Sequence, residues 1–236
     1  MSEPRILSDY DYRWATRAPL ECGVVVEPQR KLPTMLKPPC EVLVTDPSDD
    51  VLVDVKHRKV RNLSVYWHSG WPAAASRTLV RSEVAERLYA AADALPEPFG
   101  LATFDAYRPL DLQQAIFDAA YADPTLPAGF VSVPSSDPST PPPHLTGGTV
   151  DVTLTWRGTP LSLGTEFDDF SDIARTDALE SIDSTERSLR RLLFWTMRSS
   201  GFVVIDCEWW HFEYGTRRWA EINGVAPLFG PATPVL

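Results

Sequence analysis

The chain has 236 residues, 44% hydrophobic and 23% charged, which excludes a wholly disordered polymer and allows one domain with a sizeable core, with or without an arm. The 22 Lys and Arg against 32 Asp and Glu leave a formal charge of −10, a surface that repels nucleic-acid phosphates and anionic membranes alike. The three cysteines, Cys22, Cys40 and Cys207, are far apart and form no CxxC pair, which argues against a disulfide scaffold or a cysteine zinc site; reduced thiols are expected, with a Cys22–Cys40 bridge as the alternative.

The start, MSEPRILSDYDYRW, has no basic region followed by an apolar run, and no stretch approaches a membrane span, so a cytoplasmic location is expected. Residues 1–60 are punctuated by proline and carry short β-prone runs, Gly23–Val26 and Val51–Val53; they read as an N-terminal arm with irregular strands. Residues 62–67 (NLSVYW) read as a further strand. Residues 81–95 place Val84, Leu88, Ala92 and Leu95 on one stripe of good helix formers. Residues 100–107 (GLATFDAY) read as a strand, and Pro109 opens a second helix with Leu112, Ile116 and Ala119 inward.

Residues 122–143 carry seven prolines and no pattern, a loop long enough to be functional. In TVDVTL, Val150, Val152 and Leu154 face one way while Asp151, Thr153 and Thr155 face the other. A third helix begins after Asp183 or Ser184, carries Leu189, Leu192, Leu193, Thr196 and Met197 on its inner stripe, and stops at Gly201. Two strand-like pieces, FVVID and WWHFEY, follow. The pattern is α+β: a small, mostly antiparallel sheet with helices packed on it, over 61–225, followed by a tail at 226–236.

Of four histidines, His57 and His68 read as surface or satisfied polar residues, whereas His144 and His211 sit in unusual settings. Asp151 lies seven residues after His144, in the middle of an apolar strand. A carboxylate there needs a partner because its burial is otherwise costly, and a metal ion is one such partner. Gly147 and Gly148 let the chain fold His144 back over that strand. A catalytic zinc takes three protein ligands and keeps one position open, a set that two imidazoles and a carboxylate supply. Glu208, three residues before His211, is placed to act as general base, and Trp209 and Trp210 would wall it from water and raise its proton affinity. Arg108, where a strand meets a helix, suits a developing oxyanion. Plain structural roles stand beside these readings: a turn for HxxGG, an edge strand for EWWH, and a salt bridge from Arg108 to Asp105 or Asp111.

Four stretches in this order, FDAYRP, HLTGGTVDVTL, LGTEFDDF and EWWHFEYG, resemble the D-alanyl-D-alanine dipeptidases, including those of vancomycin resistance; the likeness covers about residues 60–222. The resemblance implies a small α+β fold with one zinc ion in a cleft or closed cavity suited to a free dipeptide. It gives His144, Asp151 and His211 as metal ligands, Glu208 as base and proton shuttle, Arg108 as oxyanion partner, and Asp168 as the contact of the substrate's amino group. The family's tyrosine at the amino end aligns with Arg61, and a serine that helps hold the substrate's carboxylate is replaced by Pro142. Two rivals follow: a D,D-carboxypeptidase or murein endopeptidase of the same metal type, which usually needs export, and a zinc-stabilised binding module, against which Glu208 speaks.

Overall fold

A computed structural model describes residues 16–36, 40–126 and 129–234. The first 15 residues of the expected arm and the last two of the tail lie outside the described residues. The architecture is α+β. In chain order the elements are β1 (Leu52–Asp54), β2 (Val60–Asn62), α1 (Val65–His68), β3 (Leu79–Arg81), α2 (Ser82–Ala94), β4 (Phe99–Asp105), α3 (Leu110–Ala120), a 3-10 turn (Pro143–Thr146), β5 (Thr149–Trp156), β6 (Thr159–Pro160), a second 3-10 turn (Asp172–Ala174), α4 (Thr185–Ser199), β7 (Val203–Val204), β8 (His211–Glu213) and α5 (Arg217–Asn223). The main sheet runs β2-β4-β5-β8-β7, with β6 beside β5; β2 is parallel to β4 and the remaining pairs are antiparallel. A separate ribbon pairs β1 with β3.

The alternation of β5 sends Val150, Val152 and Leu154 into the main core, where they meet Val84, Leu88 and Ala92 of α2 and Leu189, Leu193 and Met197 of α4. Every residue of β5 is buried, so its second face is covered as well; that face carries Asp151. Of the two candidate caps of α4, Asp183 and Ser184, it is Ser184 whose side chain accepts from Arg187 N, and the chain leaves the helix through Gly201 at φ 93°.

Two expectations change. NLSVYW does not continue as a strand: β2 ends at Asn62, whose Oδ1 accepts from Ser64 N at 3.0 Å and Ser64 Oγ at 2.9 Å. Ser64 then turns left-handed (φ 42°) and starts α1. The Gly23–Val26 run forms no strand, although Arg17 bridges to Leu161 and Leu32 is buried in the core.

The tail packs back on the body. Phe229 is fully buried, Phe229 N donates to Gly215 O, and Ala232 N donates to Leu145 O at 2.8 Å. Arg81 joins these parts, with Nε donating to Thr146 O at 2.8 Å and Nη2 to Gly230 O at 2.9 Å. The three cysteines are free, and no described helix is long and apolar enough to cross a membrane.

Candidate metal centre and its cavity

Sheet register assembles the site. Asp151 of β5 stands opposite Asp105 of β4 on one side and opposite His211 of β8 on the other. The pairing of β4 with β5 is irregular between Thr103 and Asp105, so Asp105 and Asp151 come abreast through a local break in the ladder. His144 arrives from outside the sheet on the 3-10 turn. Gly147 ends that turn in the left-handed conformation (φ 71°), and a Cβ on Gly148 would lie 2.5 Å from Tyr214 O. These two glycines therefore let the turn lie close on the strands.

His144, Asp151 and His211 are all buried and offer three ligand atoms within 4.8 Å of one another. His144 Nε2 lies 3.3 Å from Asp151 Oδ2, and His211 Nδ1 lies 3.1 Å from Asp151 Oδ1. Such spacings suit three corners of a tetrahedron around an ion with ligand distances of about 2.0–2.2 Å. Asp151 Oδ1 is buried and, although 3.1 Å from His211 Nδ1, has no aligned hydrogen bond. The donor set therefore fits a divalent metal ion.

The partners behind the two imidazoles fix the rings. His144 Nδ1 is 2.6 Å from Ala106 O. A carbonyl only accepts, so Nδ1 carries the hydrogen and Nε2 presents its lone pair. Burial, with Arg108 and His211 nearby, holds the pKa of His144 well below the ordinary imidazole range. His211 is the opposite case. Burial opposes its charge, but its contacts with Asp151 and Glu213 outweigh that and carry its pKa up to about 10. Glu213 Oε1 lies 3.1 Å from His211 Nε2, and Thr216 Oγ1 donates to the other oxygen. Burial favours the neutral form of Glu213, yet His211 and Arg218 hold its pKa below the usual carboxylate value.

Glu208 faces the same space, with Oε2 3.6 Å from His211 Nδ1, and burial pushes its pKa up to about 7. Trp209 and Trp210 do not wall the cavity as expected. Both pack in the hydrophobic core, where Trp209 Nε1 donates to Thr165 Oγ1. Arg108 is buried and serves more than one partner: Nε donates to Asp105 at 2.9 Å, Nη1 to Gln113 Oε1 at 3.0 Å and Nη2 to Tyr66 Oη at 3.3 Å. The salt bridge to Asp105 and the position at the cavity are thus both realised. Burial raises the pKa of Asp105 to about 6 despite Arg108. Asp168 also lines the cavity, in a left-handed conformation (φ 58°). It accepts from Tyr66 Oη at 2.8 Å, and burial raises its pKa well above the ordinary value.

Arg61 requires correction. It is exposed on β2, with Nη1 3.4 Å from Gly158 O, and lines a different hollow beside Arg58, Lys59 and Arg157. The aromatic hydroxyl beside Asp168 belongs to Tyr66, turned inward by α1. Sequence reasoning also missed Glu213 and Gln113. Glu213 stands two residues after His211 and so shares its strand face. Gln113 is a polar residue on the buried stripe of α3, and its amide also donates to Ser132 O.

The cavity above the triad measures about 250 Å³, just under the ~300–1,000 Å³ typical of drug-sized ligands, and suits a small polar molecule. A buried His-Asp-His triad with an adjacent carboxylate near neutrality is the constellation of a mononuclear metal-dependent hydrolase. The chain belongs to the D-ala-D-ala dipeptidase family, whose model matches residues 67–223. Among curated relatives, the D-alanyl-D-alanine dipeptidase of Synechocystis sp. is 30% identical over 148 residues, covering 50% of this chain and 60% of its own length. That of Escherichia coli is 35% identical over 115 residues (48% and 54%), and that of Enterococcus faecalis 36% over 87 residues (36% and 39%). The chain thus spans between 39% and 60% of the length of these relatives.

Proposed function

We propose that the chain is a zinc-dependent dipeptidase that cleaves D-Ala-D-Ala or a related Xaa-D-Ala dipeptide. The observation that carries this reading is the convergence of His144, Asp151 and His211 at the floor of a small cavity that Glu208, Arg108 and Asp168 also line. The names of the relatives supply the substrate class. His144 Nε2, Asp151 and His211 Nδ1 would hold one zinc ion. Bound there, zinc polarises the scissile carbonyl and acidifies the attacking water.

The protein's own groups do the rest. Glu208, whose buried carboxylate has a proton affinity near neutrality, takes a proton from water and returns it to the leaving amine. Arg108, held by Asp105, Gln113 and Tyr66, directs its charge at the oxygen on which negative charge develops. Asp168 receives the substrate's ammonium, and that positive charge would favour its ionised form while Tyr66 keeps it oriented. A cytoplasmic location belongs to the same reading, and the three free thiols fit it.

The test is a panel: zinc-loaded protein against D-Ala-D-Ala, L-Ala-D-Ala, L,L-dipeptides and a muramyl pentapeptide, with a chelated control. Chelator-sensitive release of D-alanine from the D,D- or Xaa-D-Ala dipeptides is expected. No hydrolysis of any of them would sink the reading, and cleavage of the pentapeptide alone would replace it with a carboxypeptidase.

A further inference from the structure

Three arginines reach the cavity, and two are committed to neighbours. Arg108 is bound as described, and Arg175 Nη2 donates to Asp206 at 2.7 Å. Arg218 differs. Its Nε lies 3.3 Å from Glu213 Oε1, yet it is buried without an aligned hydrogen bond. Among the described residues the Arg218 side chain donates to no other group, whereas adjacent Arg217 is committed to the carbonyls of Cys40 and Val42.

Arg218 stands where the metal cavity meets a second hollow of about 470 Å³, and it lines both. Pro142 lines the second hollow only and has no side-chain donor. A run of contacts links the charged groups of the cavity. Asp168 meets Tyr66, which meets Arg108; Arg108 approaches Asp151, which faces His211; His211 meets Glu213, and Glu213 meets Arg218. Asp168 and Arg218 are the first and last members of that run, with Asp151 and His211 between them, and Glu213 is the one ion-pair partner of Arg218 among the described residues. A zwitterionic dipeptide carries its charges in the same order, ammonium at one end and carboxylate at the other.

We infer that Arg218 is the specificity-determining residue that binds the free C-terminal carboxylate of the substrate, a task for which Pro142 has no donor; this rests on the dipeptidase reading above. A guanidinium fork matches a carboxylate with two parallel N–H donors, a stronger and more directional grip than a single hydroxyl gives.

The experiment compares wild type, Arg218→Met and Arg218→Lys on D-Ala-D-Ala and on its C-terminal amide, with zinc content measured for each. Wild type should prefer the acid. Arg218→Met should shrink the acid-to-amide ratio of kcat/KM by about 10- to 100-fold, mainly through KM, the range expected when a charged group loses its hydrogen-bonding partner. Arg218→Lys should restore part of the ratio, because the charge returns without the fork. A purely structural role, acting through Glu213 on His211, would slow both substrates together; an unchanged ratio therefore overturns the inference while leaving the dipeptidase reading intact. Failure of wild type to cleave any dipeptide would overturn that reading and the inference with it.

Discussion

Zinc uptake should be coupled to the loss of a single histidine proton, and the structure says which one. His144 has a pKa well below the imidazole range, so it meets the metal already neutral. His211, with a pKa of about 10 between Asp151 and Glu213, meets it charged. Removing that proton at pH 7 spans about three pH units, or about 4 kcal/mol at ~1.36 kcal/mol per unit, a cost that vanishes as pH rises through the pKa. Zinc affinity should therefore strengthen about tenfold per pH unit above 7. The assay is competition with a chromophoric chelator from pH 7 to 9, together with calorimetry at pH 8 in two buffers of different ionisation enthalpy. Glu208 is largely ionised at pH 8 and adds little to the count. Glu213→Gln removes one of the groups that hold the proton on His211, so it should flatten the slope and lower the number of protons released. Ionisations common to both proteins cancel in that comparison. Equal slopes for wild type and variant, or zinc affinity independent of pH, would refute the assignment of His211 as the charged ligand.

Four further outcomes follow from the geometry. Glu208→Ala should retain one zinc per chain by elemental analysis and lose about 10²- to 10⁴-fold in kcat, the usual contribution of a positioned acid–base group; turnover near wild type would remove it as the base. Because Glu208 must be ionised to accept a proton, kcat/KM should rise with pH along an acidic limb at or below about 7, since a bound cation draws the carboxylate's pKa down from its value in the protein alone; a flat profile from pH 5 to 8 would contradict this. Tyr66→Phe should raise KM about tenfold by releasing Asp168, while Arg61→Ala, outside the cavity, should leave kcat/KM within about twofold, so the pair of Michaelis constants tests the exchange of roles. Gly148→Ala puts a methyl 2.5 Å from Tyr214 O and should destabilise by about 1–3 kcal/mol, read as a lower midpoint in thermal unfolding.

The sequence exposed those features that depend on period and spacing. The buried stripes of α2 and α4 lie where Leu88 and Leu193 put them, and the alternation of TVDVTL predicted which face of β5 holds Asp151. Register was not legible. Nothing local says that Asp151 faces Asp105 and His211 across two ladders, because strand pairing joins residues some 45 to 60 positions apart. Arg61 came from aligning the family's tyrosine in a region without a shared motif; in the fold Asn62 captures Ser64, the chain turns into α1, and the inward aromatic is Tyr66. Helix α5 was overlooked although its signals were present, since Thr216 caps it by accepting from Trp219 N and Gly224 closes it in the left-handed conformation. The tryptophans of EWWH were misjudged because burial in the core and proximity to a site look alike in sequence.

The segment after α5 changes where the working unit ends. The match to the family stops at residue 223, and a clone trimmed there would keep every proposed ligand, the base and the arginines. It would lose the clasp that Ala232 places on Leu145 and Gly230 places on Arg81, and the plug that Phe229 drives against Gly215. Leu145 is the neighbour of His144, so the last described stretch of chain steadies the one proposed ligand that no strand carries. The stretch matched by the family is therefore shorter than the body that packs together around the His144 turn.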